Sequence, residues 1–225
     1  MVERWGEAPA LTRDNTLPAD GEVKAITPPK KKAGYVIWLI AAGIILLAIL
    51  VIIDSSNCSP ILRFKDANYY HRAGECYFSQ INLEKSITAY ENGLKLEPDS
   101  RILREELADS HNELAWTLAY HLDTDYERAL VHALRAVELE SNCHYQDTLG
   151  LVYYKLGKYA DALVAYSQAL ALDGHDCVDS LKSRGDVFRA TGQDQLALAD
   201  YRRYLYLKPK ALDREAVEEI IQTLQ

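Results

Sequence analysis

The chain has 225 residues, which is enough for one or two domains, and its 48% hydrophobic and 26% charged residues are typical of a globular protein. This composition excludes a wholly disordered chain and a multipass membrane protein. The net charge of −8 disfavours nucleic acid as a main partner, because neutralising phosphates requires a surplus of Lys and Arg.

The beginning of the chain differs from the remainder in composition. Residues 1–53 carry 6 basic and 5 acidic residues, whereas residues 54–225 carry 19 and 28, so the larger part is acidic. Four prolines interrupt residues 1–32, and no apolar period persists there. Because so little apolar surface cannot offset the entropy of ordering the chain, we expect a disordered tail.

Residues 33–53 form an apolar stretch without a charged side chain. As a helix, its 21 residues would span about 31 Å, close to the hydrocarbon thickness of a bilayer. Tyr35 and Trp38 lie at its N-terminal edge, where amphipathic rings favour the membrane interface. The stretch therefore predicts one uncleaved transmembrane helix. A buried core helix and a cleaved signal peptide are the alternatives, although a 32-residue leader is long for a signal peptide.

The flanking charges predict how this helix is oriented. Lys24 and residues 30–32, all lysine, precede it, whereas the next 15 residues contain only Arg63 and Lys65 as basic residues. The positive-inside rule then places the N-terminus in the cytoplasm and the rest, beginning with a stalk at 54–66, outside it.

A pattern of about 34 residues recurs at about 67–100, 143–176 and 178–211. Each copy has a glycine, an aromatic residue 3 positions later, a small residue 12 positions later and a tyrosine 16 positions later. These residues are Gly74, Tyr77, Ser86 and Tyr90, then Gly150, Tyr153, Ala162 and Tyr166, then Gly185, Phe188, Ala197 and Tyr201. The pattern resembles the tetratricopeptide repeat, in which two antiparallel helices approach closely at small residues. The resemblance implies an all-α solenoid of stacked helical hairpins.

A fourth, degenerate repeat occupies about 108–142. Ala115 and Ala129 are 14 residues apart where the other copies have 12, which predicts a hairpin loop two residues longer, from His121 to Asp125. Its first helix is expected to begin early, from about Ile102. Residues 213–225 then predict a C-terminal capping helix, which closes a four-repeat solenoid over 67–212.

The resemblance implies that the first helices of the repeats line a concave, partner-binding groove. The positions that would contact a peptide are His71, Glu75, Phe78, Asn112, Trp116, Tyr120, Asp147, Leu151, Tyr154, Lys182, Asp186 and Arg189. Aromatic anchors edged by carboxylates suit a partner that combines apolar residues with Lys or Arg. Alternatively, Trp116 and Leu151 pack against the neighbouring repeat, and the acidic residues form a solvated face. The carboxylate clamp of chaperone-docking members is not expected, since the matching positions hold His71, Glu75, His144 and Thr148.

The four cysteines leave their pairing open. Cys143 and Cys177 occupy equivalent turns, but neighbouring repeats lie about 10 Å apart and a disulfide requires Cα atoms within about 7 Å. A bridge between them needs the two turns to converge, and one between Cys58 and Cys76 needs the stalk to fold back. Cys143, His144, His175 and Cys177 are soft ligands that suit Zn²⁺, but the usual close Cys-x₂₋₄-Cys spacing is missing, so no metal or cofactor is expected.

No phosphate-binding loop, nucleophile elbow or His-Glu-x-x-His motif is present in the sequence, so we do not expect an enzyme. The chain resembles the membrane-anchored repeat proteins of bacteria. It is expected to be a scaffold that binds protein partners at the same membrane, as an accessory subunit or assembly factor of a larger complex. The alternatives are a metal- or thiol-dependent redox protein using the Cys/His set, and an adaptor whose repeats face the cytoplasm.

Overall fold

The computed structural model describes residues 40–47, 58, 65–172 and 176–225. The chain divides into two units, residues 1–50 and 51–225. In the first unit, residues 40–47 are helical, and their large aliphatic side chains are exposed. Among the described residues, no helix has the length and apolar character needed to cross a membrane. The predicted tail, the remainder of the predicted span at 33–39 and 48–53, and most of the stalk lie outside these residues.

The second unit is built from helical hairpins, as the repeat pattern predicts. Its described residues form nine α-helices joined by short turns and contain no strand. The helices are α1 (Ala67–Ser79), α2 (Leu83–Leu96), α3 (Arg101–Trp116), α4 (Tyr126–Leu139), α5 (Cys143–Lys155), α6 (Tyr159–Leu172), α7 (Asp179–Ala190), α8 (Asp194–Leu207) and α9 (Arg214–Thr223). Each helix packs against its successor from α1 to α9, so the hairpins stack in chain order.

Local sequence signals set the starts and turns of these helices. The side chains of Asp66 and Asn142 accept hydrogen bonds from backbone N–H groups in the first turns of α1 and α5, at 2.7 and 3.0 Å. Gly157 and Gly192 adopt φ values of 69° and 72° in the hairpin turns after α5 and α7. Glycine suits these turns because it has no Cβ to clash in the left-handed region.

In the three clear repeats, the recurring spacing brings a glycine into contact with a tyrosine ring. A Cβ on Gly150 would lie 2.7 Å from the Tyr166 ring, and one on Gly185 would lie 2.9 Å from the Tyr201 ring. Gly74 meets Tyr90 in the same way. The sequence pattern placed a small residue opposite the glycine. The structure shows that the glycine also leaves space for a tyrosine ring of the facing helix.

The degenerate repeat departs from its predicted loop. Helix α3 begins at Arg101, and the chain continues from Trp116 into a π-helical turn, Thr117–His121. The N–H of Leu122 donates to the carbonyl of Thr117 at 2.9 Å, five residues back. The expectation that the loop begins at His121 was therefore wrong, because the wider turn absorbs part of the two-residue insertion and leaves a shorter loop.

The buried side chains form two main clusters. The larger one extends from α1 to α6, and the smaller one combines residues of α7 and α8 with Val217 of α9. Val217 is buried, and Ile220, Ile221 and Leu224 pack beside it. Helix α9 thus covers the apolar flank of the last hairpin, which is what a terminal helix of a repeat array must do.

Two disulfides connect the four cysteines. Cys58 is bonded to Cys76 and Cys143 to Cys177, with Cα–Cα distances of 5.2 and 6.0 Å. The turns before α5 and α7 therefore converge more closely than the spacing of the helix axes suggests. The first bridge ties residue 58 back to α1.

Candidate functional site

A cavity of about 790 Å³ lies between the end of α3, α5, α7, α8 and the segment that joins α8 to α9. Five of the groove residues named from the sequence line it: Trp116, Tyr120, Asp147, Leu151 and Lys182. They come from the first helices of three successive repeats, which is how the resemblance places a shared concave surface.

The other seven named residues do not line this cavity. His71 and Glu75 contact each other on α1 at 3.9 Å, and Phe78 packs against the larger core cluster. Asn112 is half-buried on α3. The rest are engaged in the last two hairpins: Tyr154 contacts the Tyr159 ring, and Asp186 accepts a hydrogen bond from Tyr201 and lies 3.8 Å from Arg189.

One wall of the cavity is aromatic. The rings of Trp116 and Tyr120 stack with centroids 4.4 Å apart and planes 15° from parallel. Tyr120 belongs to the π-helical turn and is 57% exposed. Leu151, at the back of this wall, also packs against the larger core cluster, so it serves both the core and the cavity. The wall offers a flat apolar surface to solvent.

A second wall of the cavity is charged, and its charges are paired. Lys182 lies 2.6 Å from Asp213, which also accepts a hydrogen bond from the Tyr204 hydroxyl at 2.7 Å. Lys208 lies 2.5 Å from Asp179. Burial opposes ionisation of Lys182, but the hydrogen bond and charge of Asp213, together with the charges of Asp186 and Asp179, outweigh it and raise the pKa of Lys182. Asp213 likewise has a lowered pKa, because the bonds from Lys182 and Tyr204 outweigh its burial.

Asp147 also lines the cavity. It accepts a hydrogen bond from the Ser180 hydroxyl. Burial is the main influence on this carboxyl and raises its pKa, although the Ser180 bond acts in the opposite direction. The cavity therefore carries less free negative charge than the sequence led us to expect. Asp147 is buried, and Asp213 and Asp179 are each paired with a lysine.

Several lining residues were not identified from the sequence. Tyr166 and Tyr204 belong to second helices of repeats, and residues 208–213 form the connection to α9. Leu212 in that connection is fully exposed. The family pattern assigns the groove to the first helices of the repeats, so it cannot include these residues. In the sequence, the segment Lys-Pro-Lys-Ala-Leu-Asp at 208–213 combines charged and apolar side chains, which is a composition that suits a binding surface.

A second group of named residues lies at the starts of α5 and α7, and none of them is among the residues that line the cavity. Cys143 and Cys177 are buried and bonded to each other, and the Nδ1 atom of His144 lies 3.6 Å from the Cys177 sulfur. His175, the fourth residue of the alternative redox or metal set, lies outside the described residues.

The fold and repeat geometry define an all-α solenoid of helical hairpins. Residues 67–100 and 148–211 match family models described as tetratricopeptide repeat. The chain therefore carries tetratricopeptide repeats, which confirms the resemblance seen in the sequence.

The chain is similar to one known protein in sequence and to others in fold. The TPR repeat-containing protein MJ1428 of Methanocaldococcus jannaschii is 25% identical over 173 residues, which cover 77% of this chain and 29% of that protein. The chain thus spans less than a third of this relative's length. A crystal structure of MamA protein matches with a TM-score of 0.53 and 16% identity, covering 70% of this chain and 89% of that one. The structure of MamA from residue 41 to the end, from Desulfovibrio magneticus RS-1, matches with a TM-score of 0.50 and 15% identity. The match covers 66% of this chain and 78% of that one. These structures indicate the fold alone.

Proposed function

We propose that the chain is a membrane-anchored, non-enzymatic scaffold that binds a protein partner in the cavity between α3, α5, α7 and the connection to α9. The stack of half-buried Trp116 and exposed Tyr120, in a cavity that also has a wall of paired charges, carries this proposal. Aromatic anchors with a polar surround are the usual composition of a binding hot spot. The tetratricopeptide repeats support it at the level of the fold, because they provide a protein-binding surface.

The partner is a protein segment that places an apolar side chain on the aromatic wall. The charged groups of the partner face the charged wall, where Lys182 and Lys208 already have carboxylate partners. Because these charges are already paired, we propose that they contribute more to the selectivity of binding than to its affinity. We further propose that the partner belongs to a larger membrane complex for which this chain is an accessory subunit or assembly factor. A shared membrane would raise the local concentration of both proteins.

Partner binding is tested by purifying the full-length chain and its variants from native membranes in mild detergent. Tyr120→Ala removes half of the aromatic stack from an exposed position. It should reduce recovery of the co-purifying protein at least about tenfold, as expected for a hot-spot aromatic. Tyr206→Ala is the matched control, because Tyr206 is 75% exposed on α8 and does not line the cavity.

Two results would contradict the proposed binding site. One is equal recovery of the same partner with Tyr120→Ala and with the unchanged chain. The other is recovery of the unchanged chain as a lone monomer.

The membrane anchor is proposed from the apolar residues 33–53, with the N-terminus cytoplasmic and the repeats outside the cytoplasm. The two disulfides of the second unit support an oxidising location for the repeats.

Deleting 33–53 should release the chain from carbonate-washed membranes. Protease added outside spheroplasts should digest the repeats. Protection of the repeats until lysis would instead support the cytoplasm-facing adaptor.

A further inference from the structure

Three side chains that can bind a metal meet at the junction of the last two full hairpins. The ligand atoms of Cys143, His144 and Cys177 all lie within 4.8 Å of one another. We propose that reduction of the Cys143–Cys177 disulfide converts this cluster into a binding site for one thiophilic divalent cation such as Zn²⁺. This site is separate from the cavity and adds a function to the proposed scaffold.

The spacing of the imidazole and one sulfur already suits a tetrahedral ion. With Zn–S and Zn–N bonds of about 2.3 and 2.05 Å, two ligands at the tetrahedral angle are about 3.6 Å apart. The Nδ1 atom of His144 and the sulfur of Cys177 are 3.6 Å apart. This pair therefore requires little rearrangement. The two bonded sulfurs must separate to about 3.8 Å, and the Cys143 sulfur, now within 4.8 Å of the imidazole, must take up the same spacing from it.

The position of Cys143 favours a thiolate, and packing holds both sulfurs in place. Cys143 is the first residue of α5, directly after the capping Asn142. A helix N-terminus stabilises a thiolate, which is the form that binds metal. Both sulfurs are buried against Ala169 of α6, whereas His144 is exposed. Three protein ligands with one exposed side leave the fourth position for water or another ligand.

The disulfide and the metal are mutually exclusive, because both use the same sulfur atoms. An external dithiol reduces the bridge: its first thiolate attacks one sulfur, and its second closes the dithiol into a cyclic disulfide. The protein thereby gains two electrons and two protons as two thiols. Binding of the cation then releases those two protons, and the cation itself is neither oxidised nor reduced.

The other cysteine pair supplies a matched control. Full-length C58S/C76S keeps the proposed site, and full-length C143S/C177S keeps only the other pair. Both are reduced, freed of reductant without air and titrated with Co²⁺, whose thiolate absorption reports sulfur ligation. We expect C58S/C76S to bind one Co²⁺ per chain, displaceable by Zn²⁺, and C143S/C177S to bind none. Before reduction, C58S/C76S should also bind none.

The imidazole is tested in the same C58S/C76S background. His144→Ala should weaken Co²⁺ binding at least about tenfold, on the scale seen when groups of a metal site are removed. His121→Ala, which changes a histidine outside the cluster, should leave binding unchanged. Circular dichroism follows the fold throughout. The proposal is overturned by absence of stoichiometric Co²⁺ in reduced C58S/C76S, by unfolding of that variant on reduction, or by equal binding in C143S/C177S.

Discussion

Ile81 is the residue with the least suitable backbone in the repeats. It adopts φ 58° in the turn between α1 and α2, where the later repeats have Gly157 and Gly192. A β-branched side chain in the left-handed region is strained, and Ile81 is 75% exposed, so no burial offsets that strain. Ile81 thus adopts the same turn conformation as Gly157 and Gly192, although isoleucine suits that conformation poorly.

Ile81→Gly should therefore stabilise the protein by about 1 kcal/mol, since relief of strain exceeds the entropic cost of glycine. The measurement is the urea unfolding midpoint of the full-length chain. The reverse change at the equivalent turn, Gly157→Ile, should destabilise it by a similar amount. A lower midpoint for Ile81→Gly would contradict this explanation.

A pair of histidines lies between α3 and α4, with His111 buried and His132 half-buried. The Nδ1 atoms of His111 and His132 are 2.8 Å apart, and no hydrogen-bond partner of the His111 Nε2 atom is found among the described residues. Burial, then the charges of His132 and Arg135, lowers the pKa of His111 to about 4. Burial also lowers the pKa of His132, assisted by Arg128 and opposed by Glu84 and Asp125.

This pair should make stability depend on pH. The unfolded chain takes up a proton at His111 near pH 6.5, whereas the folded chain does so only near pH 4. Stability is therefore lost as the pH falls through this window, by up to about 3 kcal/mol. Urea unfolding at several pH values measures the loss, and His111→Gln should flatten the profile between pH 6.5 and 4. An unchanged profile would exclude His111 as its source.

At the scale of helices, the contact between α5 and α6 sets how closely a hairpin closes. Tyr166 is buried, and its ring occupies the space that a side chain at Gly150 would need. Gly74 and Gly185 face tyrosine rings in the same way, so three of the four hairpins share this close contact. Repeated contacts of one kind allow hairpins to stack as a regular array.

Gly150→Ala should destabilise the protein by about 2–3 kcal/mol, because the new Cβ lies 2.7 Å from a buried ring that cannot move freely. Gly93→Ala is the comparison, since its Cβ would lie 3.0 Å from a methyl group of Leu103, which can adjust more easily. Thermal unfolding of both variants measures the difference. Equal losses would show that contact with the Tyr166 ring costs no more than contact with Leu103. A gain in both variants would show that the higher helix preference of alanine, and not ring contact, decides the effect.

At the scale of the whole molecule, the Cys143–Cys177 bridge joins α5, which contributes to the larger core cluster, to the turn before α7, which contributes to the smaller one. One cluster extends over α1 to α6, and the other covers α7 to α9. Repeat arrays are stabilised by contacts between neighbours, so a weakened junction lets the parts unfold separately. The bridge closes a loop of 34 residues, worth about 3–4 kcal/mol by chain entropy.

C143S/C177S should therefore lose protection from hydrogen exchange mainly in α7, α8 and α9. Hydrogen exchange with mass spectrometry, read helix by helix, measures this effect. C58S/C76S should leave those three helices unchanged, because its bridge holds residue 58 to α1. A uniform loss across all helices of C143S/C177S would indicate a single cooperative unit instead.

The sequence alone determined the helical hairpins and their repeat length. A glycine, a small residue and a tyrosine recur at fixed spacings in the three clear repeats. These residues contact each other within one hairpin, because residues 12 to 16 apart lie on its two facing helices. It also placed Trp116, Tyr120, Asp147, Leu151 and Lys182 on helices that share one face.

Only the tertiary structure decided which of these side chains share a cavity, that residues 208–213 complete it, and which cysteines pair. It also brought His111 to His132 and His144 to Cys177. The physical reason is that these contacts depend on the rotation and spacing between helices and hairpins. That geometry arises from the sum of many packing contacts, and no single motif encodes it.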